Sequence, residues 1–140
     1  MSKEKIIVYL VDDDADDLEM LSEAFEESGC ASEIKGFTSG TDLLHLMALR
    51  QHGIPDIIIL DHYLSLKDET DLPGMIRNEK RNDNITLVIY SSALSPGKIE
   101  QLLQKGVDVC RQKGNSHDEL KDDVEAFCKA VKNKQKMTGG

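Results

Sequence analysis

The stretch Pro55-Asp56-Ile57-Ile58-Ile59-Leu60-Asp61 sets the tightest limit on what this chain can fold into. Four apolar residues, three of them β-branched, run without polar alternation into one acid. Such a run is a strand buried on both faces, as in a parallel sheet covered by helices. Asp61 then stands where the strand leaves the core. In open α/β sheets the edge at the carboxyl ends of the strands is where ligands bind. Asp61 is therefore a candidate nucleophile, one that accepts a phosphoryl group.

The rest of the chain repeats the same unit. Ile6–Val11 reads as a first strand, ending in Asp12-Asp13-Asp14. Leu18, Leu21, Ala24 and Phe25 form one face of the helix that follows, and Gly29 supplies its left-handed stop. A weaker strand is expected at Ile34–Phe37. Ser39 and Asp42 stand at capping-box spacing before a helix whose buried side is Leu43, Leu44, Leu46 and Met47. Pro73-Gly74 implies a late or distorted start to the third helix, with Met75 and Ile76 as its core residues. Ile85–Tyr90 reads as the fourth strand, ending at Ser91-Ser92. Ser95-Pro96 opens a helix with Ile99, Leu102 and Leu103 inward, stopped by Gly106. Val107–Cys110 is the fifth strand, followed by Lys113-Gly114. Ser116 and Glu119 form a second capping box, and Leu120, Val124, Phe127 and Val131 make a helical stripe. Strands and helices thus alternate strictly. The fold class expected is α/β, a doubly wound sandwich on a five-stranded parallel sheet; right-handed crossovers leave a few topologies, of which the strand order 2-1-3-4-5 is the commonest. Residues 1–131 form the expected domain, and 132–140 are expected to be a polar, disordered tail.

Charge and cysteine usage exclude several classes. With 26 acidic against 17 basic residues and a net charge of -9, the chain lacks the basic face that nucleic acid requires. No signal peptide or membrane span is visible. The three cysteines, Cys30, Cys110 and Cys128, are widely spaced and form no CxxC pair. They read as reduced thiols of a cytoplasmic protein, with neither a zinc site nor a disulfide framework. His45, His52, His62 and His117 are scattered and read as surface or capping residues.

Under this topology the polar residues collect at one sheet edge. Strand one delivers Asp12, Asp13 and Asp14, strand three Asp61, strand four Ser91 and Ser92, and strand five Lys113. Carboxylates crowded in one crevice repel one another, and a hard divalent cation resolves the conflict. Mg2+ fits, with Mn2+ as an alternative occupant. A hydroxyl and an ammonium complete a phosphoryl-transfer site, in which an aspartate is held in line with phosphorus while its equatorial oxygens are neutralised. Asp61 attacks in this reading, the cation lies on Asp13 and Asp61, and Lys113 and Ser91 take up charge. The backbone carbonyl of Tyr63 is a further neutral ligand. Asp14, Asp16 and Asp17 read instead as acids favouring a helix N-terminus.

These residues carry a resemblance. From about Lys5 to Val131 the chain resembles the receiver domain of two-component response regulators, in particular the stand-alone, chemotaxis-regulator type. The resemblance implies a flavodoxin-like (βα)5 fold, with the sheet order 2-1-3-4-5, and phosphotransfer from a phosphohistidine of a histidine kinase or histidine phosphotransfer protein in a phosphorelay. It places the acidic pair on Asp12 and Asp13, the phosphoacceptor on Asp61 and the metal-binding carbonyl on Tyr63. The strand-four hydroxyl falls on Ser91, its small neighbour on Ser92 and the lysine on Lys113. Four positions depart from the family pattern. Ser65 and Glu69 stand where proline and glycine are common, so the loop 63–70 is expected to take its own path. Gly114 replaces the proline after the lysine, and Cys110 replaces the aromatic switch of strand five. No output domain fits after Val131, so the signal is expected to leave through contacts with an unknown downstream protein, and through neither nucleic acid nor membrane.

Other readings make different demands. A phosphohydrolase of the haloacid dehalogenase type wants a second acid two residues after the nucleophile, where this chain has Tyr63. A flavin- or nucleotide-binding protein wants a Gly- or Ser/Thr-rich loop after strand one, where three aspartates would repel phosphate. A degenerate receiver, acting as an unphosphorylated interaction module, is the remaining alternative.

Overall fold

A computed structural model describes residues 5–49, 53–61 and 71–137. The elements run β1 (Ile6–Val11), α1 (Ala15–Ser28), β2 (Ala31–Phe37), α2 (Gly40–Leu49), β3 (Ile57–Leu60), α3 (Leu72–Arg77), β4 (Thr86–Ser91), α4 (Pro96–Gln104), β5 (Val109–Gln112) and α5 (His117–Met137). All strand pairs are parallel and the sheet order is β2-β1-β3-β4-β5. This is the commonest of the orders that the alternation of elements allows, and the flavodoxin-like one that the resemblance implies.

The central strands β1, β3 and β4 are largely apolar because each feeds two cores. Ile6, Val8, Leu10, Ile57, Ile59, Val88 and Tyr90 pack with Leu21, Phe25, Val124 and Phe127 of α1 and α5. The intervening Tyr9, Val11, Ile58, Leu60, Leu87 and Ile89 pack on the other side with Leu43, Ile76 and Leu102 of α2, α3 and α4. A one-residue slip of β3 would exchange these two sets, so its register is fixed by both layers at once.

Local signals act where the sequence puts them. Asp14 caps α1, accepting from the backbone N–H groups of Asp16 and Asp17, and Gly29 ends the helix at φ 75°. Asp71 caps α3 and Pro73 sits in its first turn, which accounts for the short, late helix. Ser95 accepts from the Lys98 N–H at the start of α4. Strand limits differ by a residue or more from expectation: β2 begins at Ala31, and β5 spans Val109–Gln112 rather than Val107–Cys110. Met75 and Leu103 are exposed at 48% each, since each lies one residue from the buried Ile76 or Leu102 and therefore points off the apolar stripe. His45 and His117 lie on the surface, whereas His52 and His62 fall outside the described residues.

Two expectations about the chain's periphery need correction. Residues 132–137, expected in a disordered tail, continue α5. Lys134 anchors this extension by donating to both Asp108 carboxylate oxygens at 2.9 Å and to the Ile85 carbonyl at 3.1 Å. Asp108 also meets Arg77 Nη2 at 2.7 Å and the Leu87 N–H at 2.8 Å, so one carboxylate ties α3, β4 and α5 together at the amino-terminal edge of the sheet. Cys30 and Cys128, expected as reduced thiols, form a disulfide across 98 residues. No spacing motif announces a bridge between partners so far apart. The fold makes it possible by laying the end of α1 beside α5, with Phe25 stacked on Phe127 at 6.4 Å. Cys110 is the one free cysteine.

In the chain-entropy picture a loop of this length stabilises the folded state by about 4–5 kcal/mol, an upper bound when the unfolded chain retains structure. Reduction of the disulfide, or Cys128→Ser, should therefore move the urea midpoint down by a comparable free energy. A digest under non-reducing conditions should recover the peptides of Cys30 and Cys128 joined. An unchanged midpoint after verified reduction would contradict this assignment.

Candidate functional site

The parallel register brings the strand ends level. Val11 of β1 pairs with Leu60 of β3, so Asp12 and Asp61 emerge side by side. The Asp61 N–H donates to the Val11 carbonyl at 3.0 Å, and the Asp12 N–H to the Phe37 carbonyl at 3.0 Å. Across β4, the Lys113 N–H donates to the Ser91 carbonyl at 2.7 Å. Backbone hydrogen bonds thus hold three of the chemically competent residues before any side chain is considered.

Asp12, Asp13 and Asp61 turn their carboxylates toward one another, and one oxygen from each lies within 4.8 Å of the others. Asp12 is buried, Asp61 half-buried and Asp13 exposed. Asp12 accepts from the Asp14 N–H at 2.9 Å and from Lys113 Nζ at 3.2 Å. Asp17 lies 3.7 Å from the same ammonium. Burial pushes the Asp12 carboxyl above its usual range, aided by the charge of Asp61 and opposed by the Asp14 N–H and by Lys113. Burial alone would push the Lys113 ammonium down. The charges of Asp12 and Asp61, the hydrogen bond to Asp12 and the charge of Asp17 outweigh it and leave the pKa raised. The pair is thus an ammonium held by carboxylates that compete for it.

Three all-oxygen donors with one side open suit a small hard cation, which keeps several waters beside one or two carboxylates. Ser91 is buried at the end of β4, its hydroxyl in long contacts of 3.3 and 3.4 Å with the Ala93 backbone, while Ser92 is exposed. A hydroxyl held so weakly can turn to a better acceptor. Tyr63, and with it the expected carbonyl ligand, lies outside the described residues, as do Ser65 and Glu69.

A cleft of about 180 Å³ opens beside Lys113, lined by Asp12, Asp17, Tyr90, Asn115, His117 and Leu120 among others. Gly114 forms part of its rim. A Cβ there would fall on the side chain of Glu119, which folds back to accept from the Asn115 N–H at 2.8 Å. The residue that departs from the family's proline therefore leaves room for a carboxylate that caps the loop into α5. Ser116 accepts from the Glu119 N–H at 3.1 Å, so the capping box closes on one arm while the other reaches Asn115. Cys110 belongs to the opposite face of the sheet, packed against the core beneath α2, α3 and α4, and burial pushes its thiol pKa up.

Comparison with known proteins agrees with this arrangement. The model of the response regulator receiver domain matches residues 8–125, and the chain belongs to that family. The fold is shared with a response regulator from Hahella chejuensis, 19% identical, with a TM-score of 0.75 over 89% of this chain and 94% of that one. It is shared with the chemotaxis response regulator CheY4 of Vibrio cholerae, 19% identical, with a TM-score of 0.72 over 87% and 98% of the two chains. The phosphorylated cyanobacterial phytochrome response regulator RcpA is 23% identical, with a TM-score of 0.72 over 88% and 91%. No curated protein matches the chain. Receiver domains are the phosphoacceptor units of two-component signalling and bind Mg2+ at an acidic pocket; in this chain Asp12, Asp13 and Asp61 form an acidic cluster. Among the described residues no helix is long and apolar enough to cross a membrane.

Sequence reasoning missed what lies under Lys113. The ammonium stands over the Tyr90 ring, 5.6 Å from its centroid. The Tyr90 hydroxyl donates to Asp123 of α5, whose other oxygen accepts from Arg111 Nε of β5. A signal for this was present. Asp123 lies between Leu120 and Phe127 on the apolar stripe of α5, where an acid is out of place unless something receives it.

Burial, the hydrogen bond to Asp123 and that carboxylate's charge push the Tyr90 phenol well above its usual pKa of 10.0, with Arg111 opposing. A proton held more tightly in the folded state gives stability that is complete below pH 10 and is lost as pH rises toward the folded value. Tyr90→Phe strips a donor from a buried carboxylate and should cost about 1–3 kcal/mol at pH 8. The gap between wild type and Tyr90→Phe in urea unfolding should narrow above pH 10. A gap that stayed constant to pH 11 would disprove the hydrogen bond.

Proposed function

We propose that this receiver domain accepts a phosphoryl group on Asp61 from a phosphohistidine and passes the resulting state on through protein–protein contacts. The observation that carries this reading is the convergence of the Asp12, Asp13 and Asp61 carboxylates within 4.8 Å, with Lys113 bound to Asp12 at 3.2 Å. An Asp61 carboxylate oxygen forms the new bond to phosphorus while the phosphorus–nitrogen bond breaks, and the departing imidazole nitrogen keeps the electron pair. Asp12, Asp13 and Asp61 would hold Mg2+, with the Tyr63 carbonyl as a further ligand. Bound there, the cation would neutralise charge on the phosphoryl oxygens. Lys113 is already close enough to Asp12 and Asp17 to move as one ammonium between carboxylates and phosphoryl oxygen. Ser91 offers a hydroxyl to a second oxygen, and the exposed Ser92 leaves the approach open. Later attack by water on the acyl phosphate would release phosphate and restore Asp61, so the domain promotes its own phosphorylation and slow dephosphorylation without turning over an outside substrate.

The donor in this reading is a histidine kinase or histidine phosphotransfer protein, and the setting is cytoplasmic. A disulfide is uncommon there, where most are transient or redox-sensing. The downstream partner in this reading is a protein, in keeping with a net charge of -9 that disfavours nucleic-acid phosphates.

With a small acyl phosphate and Mg2+, the intact protein should gain the mass of one phosphoryl group, and Asp61→Asn should gain none. Removing the divalent ion with a chelator should abolish the gain. Lys113→Met should slow labelling about 10- to 100-fold, the size expected for losing one charge-assisted contact to the transferred group. If wild-type protein takes up no phosphoryl group and binds no beryllofluoride with Mg2+ present, the phosphoacceptor reading fails. The domain would then act as an unphosphorylated interaction module.

A further inference from the structure

The ammonium of Lys113 is enclosed by the carboxylates of Asp12 and Asp17 at 3.2 and 3.7 Å and by the ring of Tyr90. That ring is immobilised by contacts that have nothing to do with phosphate. It stands edge-on to Phe127, centroids 5.2 Å apart at 86°. Its hydroxyl is bonded to Asp123, a carboxylate only 5% exposed in the middle of α5's packed face. Arg111, the residue directly paired with Tyr90 across β4 and β5, holds the second oxygen of Asp123. The chain of contacts therefore runs Lys113, Tyr90, Asp123, Arg111 and joins the carboxylate edge of β4 and β5 to the body of α5.

We infer that Tyr90 is the positioning residue for Lys113 and that its hydroxyl bond to Asp123 transmits the ammonium's position to α5. The inference rests on the reading that Lys113 serves a phosphoryl group on Asp61. A phosphoryl group adds negative charge beside Asp12 and draws the ammonium toward it. A cation 5.6 Å from a ring centroid is near the limit of attraction by the ring, about 6 Å, so a small displacement ends the contact. The ring has lost its charged neighbour but not its tie to Asp123, and that tie passes the change on to α5. Phenylalanine in place of Tyr90 would seat the ammonium equally well. Only tyrosine also reaches Asp123, and only a carboxylate at 123 can accept from β4 and β5 together.

The test compares the full-length wild type with Tyr90→Phe and Asp123→Asn, each saturated with beryllofluoride and Mg2+ so that site occupancy is matched. Hydrogen exchange of α5 backbone amides is followed with and without the analogue. Wild type should show a clear change over residues 117–131, and both variants should lose most of it, about fivefold or more for a coupling of ordinary size. Val131→Ala, which cuts buried packing on the same helix away from this network, should lower stability yet keep the response. Asp123→Asn keeps the shape of the side chain and decides the matter if Tyr90→Phe does not fold. A full α5 response in both variants, or a loss in Val131→Ala as large as in Tyr90→Phe, would overturn the inference while leaving phosphorylation of Asp61 intact. Failure of wild type to bind the analogue would instead remove the phosphoacceptor reading and this inference with it.

Discussion

Parallel pairing of β3 on both of its sides is the constraint from which the rest of the molecule follows. Leu60 is flanked by Val11 and Ile89, so β1 and β3 leave the core at the same height while β4 runs two residues further, to Ser91. Nothing about a carboxylate makes it a nucleophile until others are brought beside it, and here the backbone does that. Side chains then finish the work at small distances, with Asp12 buried beneath the other two acids and Lys113 reaching it from β5. The opposite edge of the sheet solves a different problem. There Asp108, Arg77 and Lys134 satisfy backbone groups near the strand starts and tie three elements together with hydrogen bonds. Asp56 does the same for β1 and β3, accepting from the Ile7 N–H at 2.8 Å.

The element order and the acidic cluster were both legible because each depends on short-range signals. An apolar run followed by an acid marks a strand end whatever surrounds it, and helix caps such as Asp14, Ser39 and Ser95 act within three residues of themselves. The handedness of crossovers narrowed the sheet to a few orders, of which the commonest is the one found. What was not legible depends on pairings between distant residues. The Cys30–Cys128 bridge needs α1 and α5 to be neighbours, and neither cysteine lies in a motif. The extension of α5 to Met137 depends on Lys134 finding Asp108 on another element. Met75 and Leu103 look like core residues by type, but short helices such as α3 and α4 bury too narrow a stripe to include them.

The departures from the family pattern divide by physical role. Gly114 is explained by the space that Glu119 occupies when it caps the loop into α5. Cys110 faces the core beneath α2, α3 and α4, whereas Tyr90, whose ring lies beneath the ammonium, belongs to the neighbouring strand and the opposite face. The two replacements therefore act on different layers. One reshapes a loop beside the carboxylate edge, and the other fills a core position with a small side chain.

The disulfide has a consequence that concerns connectivity rather than energy. It closes a covalent ring that contains β2, α2, β3, α3, β4, α4, β5 and most of α5, leaving β1 and α1 as one arm and the end of α5 as the other. A single break in the backbone anywhere between residues 31 and 127 opens the ring but separates nothing. Asp12 and Asp13 on the first arm stay joined to Asp61 and Lys113 within the ring, so a nicked molecule still carries every charged group of the site on one covalent body.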